Sequence, residues 1–346
     1  MSVNASRPAP LLRVEDVVVE YPRKGLPPMR ALAGVGLEIA PGEVVGIVGE
    51  SGCGKSTLAR AVTGLAPAHT GSVTFDGTPV GAMGRRRRAP GLLPLQMVFQ
   101  DPNASLNPRR TIGAQIQEVV VARERARGAG RRRSDPENAR EAVEALRRVG
   151  LPDGAAEKYP HEFSGGQRQR AAIARALASR PKMIVADEPV SALDASAQAA
   201  VANLLRDLSR EEGIALAFIS HDLAVVGALA DRVVVMYLGR VVETGTVEQI
   251  FNAPQHPYTQ ALLAAVPVPD GSGTRPRALT GEVPDPGSPP PGCRFHPRCP
   301  LAVGRCRSDE PALLRAPGAT AEPEVACWVA QESGPATHTA PAPPTA

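Results

Sequence analysis

Aromatic side chains are scarce in this sequence of 346 residues: they make up 3%, with one tryptophan, four tyrosines and six phenylalanines. The core must therefore be built from Val, Leu, Ile and Ala. Long hydrophobic runs are missing too, none reaching the ~18 apolar residues a membrane-spanning helix needs. The opening MSVNASRPAP lacks the apolar stretch of an export signal, so the chain is expected to stay on the side of the membrane where it is made. Any work at a membrane would then pass through partners. Lysine is rare: of 39 basic residues only Lys24, Lys55, Lys158 and Lys182 are not arginine, and 35 acidic residues leave a net charge of +4. The arginine runs at 85–88 and 131–133 thus read as solvated loops or helix faces, and no nucleic-acid partner is expected. Cysteine is nearly absent before residue 290, where Cys53 stands alone; the other four of the five follow it. Stable disulfides are not expected without an export signal, and clustered thiols then point to metal.

What remains is an ordinary globular balance of 43% hydrophobic and 21% charged residues. Strands are expected at 12–20, 35–39, Val44–Val48, 72–76, Met183–Ala186, Ile214–Ser220 and Arg232–Tyr237. Helices are expected at Thr57–Thr63, within 113–149 with a break at Gly128–Gly130, and at Gln167–Ala178, Ala195–Ser209 and Asp222–Ala230. Strands alternating with helices predict a parallel α/β sheet. Composition shifts near residue 252. A Pro-rich connector, PDPGSPPPG at 284–292, leads into a small module at 293–328 that holds the late cysteines. The tail at 331–346 is low in complexity and is expected to be disordered. There is no internal repeat.

Two stretches carry chemistry. Gly49-Glu50-Ser51-Gly52-Cys53-Gly54-Lys55-Ser56, followed by Thr57, fits G-x-x-x-x-G-K-[ST] between a strand and a helix. Its glycines let backbone N–H groups wrap a phosphate, and the helix start adds its dipole. Lys55 supplies a cation for β/γ-phosphates and Ser56 a hydroxyl for Mg²⁺. Met183-Ile-Val-Ala-Asp187-Glu188 then delivers two carboxylates at a strand's C-terminal end. Asp187 can hold Mg²⁺ through water, and Glu188 can polarise the water that attacks the γ-phosphate.

Further motifs follow in a telling order: Tyr21, Gln100, Phe163-Ser164-Gly165-Gly166-Gln167, Ser191-Ala-Leu-Asp194 and His221. With these the chain resembles the ATP-binding cassette (ABC) ATPases, whose signature turn usually begins with Leu where Phe163 stands. The resemblance implies a P-loop NTPase (RecA-like) α/β nucleotide-binding domain over 11–252, with a helical subdomain at about 101–163. It also implies residue roles. Tyr21 stacks on adenine; Gln100 touches Mg²⁺ and acts as a hinge. Ser164, Gly165, Gly166 and Gln167 close on ATP held by a second subunit. Asp194 lines the dimer seam, and His221 joins Glu188 and Lys55 in catalysis at the γ-phosphate.

Wording narrows the family further. Gly49-Glu-Ser-Gly-Cys-Gly, Gln100-Asp-Pro-Asn-Ala-Ser-Leu-Asn-Pro-Arg109, His256-Pro-Tyr-Thr259 and Pro-Gly-Cys293-Arg-Phe-His-Pro-Arg-Cys299-Pro resemble the ATPase subunits of bacterial oligopeptide, dipeptide and nickel importers. This implies a C-terminal extension at 253–330, a second ATPase subunit (identical or a cousin), two membrane permeases and an extracytoplasmic solute-binding protein. It places the chain peripherally on the cytoplasmic face of the cell membrane. Peptide import is the expected task; another solute, or a soluble cassette protein outside transport, is the alternative. The spacing C293-x5-C299-x6-C306-x20-C327 is not that of a zinc hairpin. Four thiolates can hold Zn²⁺ or an iron–sulfur cluster. Some relatives of this type carry a [4Fe–4S] cluster on such cysteines, which favours that reading, with Zn²⁺ or bare thiols as alternatives.

Overall fold

A computed structural model describes residues 9–84, 88–128, 135–266, 281–315 and 323–333. Arg85–Arg87, the arginine run at 131–133 and the tail from 334 lie outside the described residues.

In chain order the regular elements are β1 (Leu12–Arg23), β2 (Leu26–Ile39), β3 (Val44–Val48), α1 (Lys55–Val62), β4 (Thr70–Phe75), β5 (Thr78–Pro79) and β6 (Leu95–Val98). Then come α2 (Pro102–Ser105), α3 (Ile112–Ala126), α4 (Pro136–Arg148), α5 (Gly165–Leu177), β7 (Met183–Asp187), α6 (Ala195–Glu212), β8 (Ala215–Ile219), α7 (Leu223–Leu229), β9 (Arg232–Tyr237) and β10 (Arg240–Thr246). The C-terminal region adds α8 (Val247–Asn252), α9 (Pro257–Ala264), β11 (Leu314–Arg315), β12 (Glu324–Val325) and α10 (Trp328–Ser333).

Two sheets form. The larger runs β11-β12-β10-β9-β3-β8-β7-β6. Its members β9, β3, β8, β7 and β6 are mutually parallel. β3, VVGIV, is buried at every position, as a central parallel strand covered on both faces should be. The smaller sheet, β2-β1-β4-β5, is antiparallel. The expectation of one parallel sheet is therefore corrected. Leu12, Val14, Val17 and Val19 of β1 are buried in one core, a register irregularity between Val14 and Val17 keeping the two pairs in phase, and β1 pairs antiparallel on both sides. β6 went unanticipated because LQMV is short and carries one β-branched residue.

The helical stretch at 113–149, expected to break at Gly128–Gly130, is two helices, with Gly128 in left-handed backbone (φ 80°) after α3. Thr111 and Asp135 cap their N-termini. Ile112, Ile116 and Val120 recur every four residues and bury one stripe of α3. Arg123 reaches out of this pair, donating to the Ala178 carbonyl after α5 (2.8 Å) and to Glu141 (2.6 Å). Its side chain is only 5% exposed, so it ties the helical pair to the core through a buried charge network.

Candidate functional site

The loop after β3 wraps a cleft at the C-terminal edge of the parallel strands, where open α/β sheets place ligands. Gly54 takes φ 108°, and a Cβ there would meet the Ala31 carbonyl at 2.5 Å, so only glycine fits. It caps α1 without a side-chain hydrogen bond, which leaves the first-turn N–H groups for an anion. Lys55 is 5% exposed, and its ammonium folds back to donate to the Gly49 (2.7 Å) and Glu50 (3.0 Å) carbonyls.

Ser56 Oγ donates to Asp187 Oδ1 at 2.8 Å, so the loop and the end of β7 already meet. Burial pushes the Asp187 carboxyl above the usual range; the Ser56 hydrogen bond opposes that, and the Glu188 charge adds to it. A buried carboxylate beside a hydroxyl is a hard-oxygen set that fits a divalent cation such as Mg²⁺. Glu188 stands in left-handed backbone (φ 46°), a conformation that costs a non-glycine residue about 1–2 kcal/mol, and its N–H is tied to the Ile219 carbonyl at 3.0 Å. Gln100 Nε2 donates to Glu188 Oε2 (3.3 Å) and to Ser191 Oγ (3.2 Å). His221 Nδ1 lies 3.4 Å from Glu188 Oε2. Tyr21 lines the same cleft with Ser51, Gly52, Gly54–Thr57, Gln100 and Glu188.

The fold thus brings most of the expected residues together. Two expected groups stand elsewhere. Ser164 caps α5 in a reciprocal box, its Oγ accepting from the Gln167 N–H (3.3 Å) while Gln167 Oε1 accepts from the Ser164 N–H (3.0 Å). Neither they nor Gly165 and Gly166 line the cleft around Lys55. Asp194 caps α6 through the Ala197 N–H (2.9 Å) and is likewise not part of that lining.

Cys53 is buried in the loop, where burial raises its thiol pKa. The late cysteines are free thiols. Cys293, Cys299 and Cys327 each feel other members of the set electrostatically, so all four are neighbours. Yet among the described residues no three His, Cys, Asp or Glu side chains are placed to hold one ion. Burial pushes Cys293 up to about 11, which favours neutral thiols, and Cys293 and Cys299 pack against the apolar core. Cys293, Cys299, Cys306 and Cys327, the residues expected to hold a [4Fe–4S] cluster or Zn²⁺, are thus gathered in one place as free thiols.

The sequence reading missed three contributors. Arg298 lies against Glu50, Tyr258 against the Glu50 N–H, and Pro286 at the edge of the cleft. His256-Pro-Tyr-Thr259 reads from sequence only as a turn into a helix. His256 does cap α9, accepting from the Tyr258 N–H (3.0 Å), and full burial depresses it to about 3, so it is neutral. No sequence periodicity could signal that Tyr258 then reaches the phosphate loop.

Comparison with known proteins agrees with this geometry. Residues 32–191 match the ABC transporter family and residues 242–306 the oligopeptide/dipeptide transporter C-terminal region. A probable peptide ABC transporter ATP-binding protein of Sinorhizobium fredii is 49% identical over 92% of this chain and 90% of its own. The oligopeptide transport ATP-binding protein OppF of Salmonella typhimurium is 47% identical over 88% of this chain and 92% of its own. The ATP-binding cassette MJ0796, solved as a dimer bound to ADP and Pi, superposes with TM-score 0.58 at 30% identity, covering 68% of this chain and 98% of that one. No helix among the described residues is long and apolar enough to cross a membrane. Similarity of this depth, along nearly the whole length, makes the chain an ABC-type ATPase and a member of the family of ATP-binding subunits of peptide ABC transporters.

Proposed function

We propose that this chain hydrolyses ATP to power the uptake of peptides, with Glu188 as general base. The observation that carries the reading is the Glu188 carboxylate held between Gln100 and His221 at the mouth of the phosphate loop. Lys55 swings from its two carbonyls to the β/γ-phosphates. Ser56 and Asp187, with Gln100 beside them, would hold Mg²⁺, which would supply neutralisation of the phosphate charge. Glu188 takes the proton of the attacking water, and His221 orients both. Tyr21 stacks on the adenine.

The Ser164–Gln167 turn supports a second cassette as partner. It is a helix start with glycines and an exposed serine, yet it does not line its own chain's cleft. In the assembly it closes on the partner's ATP, and Asp194 lies at the seam. The partner is a second copy or a related subunit. Two permeases, docked through the helical subdomain at about 101–163, and an extracytoplasmic binding protein complete the importer, with this chain peripheral on the cytoplasmic face. The extension over 253–330, with its Cys module at 293–328, follows the nucleotide-binding domain at 11–252. The [4Fe–4S] or Zn²⁺ reading of the late cysteines has only the gathering of the thiols in its support; anaerobic purification with iron, sulfide and zinc analysis decides it.

The test is Glu188→Gln in the assembled transporter. ATP turnover and labelled-peptide uptake are expected to fall together while ATP binding persists. Turnover near wild type would overturn the mechanism. Uptake of nickel or another solute, with no peptide uptake, would replace the substrate class and leave the ATPase.

A further inference from the structure

Glu50 lies inside the phosphate loop, and Arg298 some 250 positions later in the turn between Cys293 and Cys299; the mechanism above uses neither side chain. The structure joins them. Arg298 Nη1 donates to Glu50 Oε2 at 2.7 Å and Nη2 to Glu50 Oε1 at 3.0 Å, a two-pronged pair. The Arg298 side chain is 3% exposed, so this is no surface ion pair. Its guanidinium sits 5.9 Å from the ring centres of both Tyr237 and Phe295.

Two further bonds converge on the same loop from the same region. The Glu50 N–H donates to Tyr258 Oη at 2.8 Å. Burial raises the Tyr258 pKa, so the hydroxyl stays neutral and able to accept. Arg294 donates to the Leu238 carbonyl, and the next residue, Gly239, donates its N–H to the Cys53 carbonyl at 2.8 Å. The turn Cys293–Cys299 that presents both arginines is itself pinned: the Cys293 N–H donates to the Cys306 carbonyl (2.9 Å) and the His296 N–H to the Cys293 carbonyl (2.9 Å). Tyr237, Tyr258 and Phe295 pack with ring centres 4.7–5.4 Å apart, which spends much of the chain's small aromatic supply on this one joint.

We infer that Arg298 and Tyr258 are positioning residues of the ATP site: by holding Glu50 they set the conformation of the phosphate loop, and the C-terminal region is thereby a working part of the nucleotide site. The inference rests on the assignment of Gly49–Thr57 as the triphosphate cradle. Neither residue touches the reacting atoms; each acts through Glu50. Loss of either loosens the cradle that Lys55 and the backbone N–H groups must form, so nucleotide affinity falls before the chemical step does.

The experiment uses the full chain, with a fluorescent ATP analogue for affinity and the assembled transporter for kinetics. Arg298→Ala and Glu50→Ala are each expected to weaken nucleotide affinity, and raise KM for ATP, about tenfold with kcat changed less; the double variant is expected to match the single ones, because partners in one pair are not additive. Arg298→Lys should recover part of the loss. Tyr258→Phe removes one oxygen only and should cost about threefold, deciding the matter if Arg298→Ala does not fold. KM within twofold of wild type in folded Arg298→Ala and Tyr258→Phe, even with a lowered melting temperature, would reduce the contact to ordinary packing and overturn the inference. So would independent, multiplying effects in the double variant. Lys55→Ala runs alongside: if it binds the analogue like wild type, the cradle assignment itself fails, whatever Arg298 does.

Discussion

Two glycine-rich helix starts stand in this molecule, and they are built in opposite ways. At α1 the cap residue is Gly54, no side chain satisfies the first turn, and a buried Lys55 turns back over the loop. At α5 the cap is Ser164, whose reciprocal bonds with Gln167 leave the turn stable by itself and open to solvent. The first is an anion cradle whose donors lack side-chain partners. The second is a finished helix end that offers an anion only what protrudes from it. Similar glycine content therefore goes with different local chemistry, which is what the proposed roles, one end holding ATP and the other closing on ATP held by a second subunit, require.

The contrast can be broken by experiment. The largest effect is expected at Lys55→Ala, with loss of ATP affinity of about a hundredfold or more in the full chain, read by nucleotide titration. Glu188→Gln should follow, lowering turnover by about a hundredfold or more while affinity holds. Ser164→Ala should cost only about 1 kcal/mol of stability, read by denaturant melts, and leave affinity in the isolated chain unchanged while turnover of the assembled transporter falls. If instead it weakens ATP binding as deeply as Lys55→Ala, the two helix starts do the same work and the distinction is gone. The last prediction concerns pH, stability and His256 and leaves the nucleotide site untouched. Its pKa is lowered from 6.5 to about 3 by burial, so the folded chain binds fewer protons there than the unfolded one. Its contribution is present above pH 6.5 and is lost as pH falls towards 3, by up to about 1.4 kcal/mol per pH unit. His256→Asn keeps a capping side chain, and its melting temperature should depend less steeply on pH over that window.

How much of this could be read from the residues differs between regions. VVGIV, MIVAD and RVVVMY are continuous apolar runs, and burial on both faces leaves them no other reading; they appear as β3, β7 and the whole of β9. Lys55 and Ser56 are legible because phosphate binding dictates residue types at fixed spacing, Asp187 and Glu188 because a buried strand ends in two carboxylates, and Gln100 only through the family resemblance. The strands around β1 are legible at 12–20, 35–39 and 72–76, but their pairing as a separate antiparallel layer is not: the hairpin turn at Lys24-Gly25 is a weak signal, and the β4 partner lies some fifty residues on. Arg298 and Tyr258 escaped for a related reason: a single charge or hydroxyl that reaches across the fold has no pattern around it. The cysteines are legible as a cluster in the C-terminal module, and the fold does bring Cys293, Cys299, Cys306 and Cys327 near one another.

One feature of the rim of the large sheet has a practical side. β12 pairs with β10 through Glu243–Val325 and Thr244–Glu324, the Ala326 N–H adds a bond to the Val242 carbonyl, and β11 lies outside them. These few late residues act as a selvedge that keeps the weave from fraying. A protease nick or a shortened expression product ending before Leu314 would lay bare the hydrogen-bonding row of Arg240–Thr246 and invite neighbouring molecules to stitch onto it.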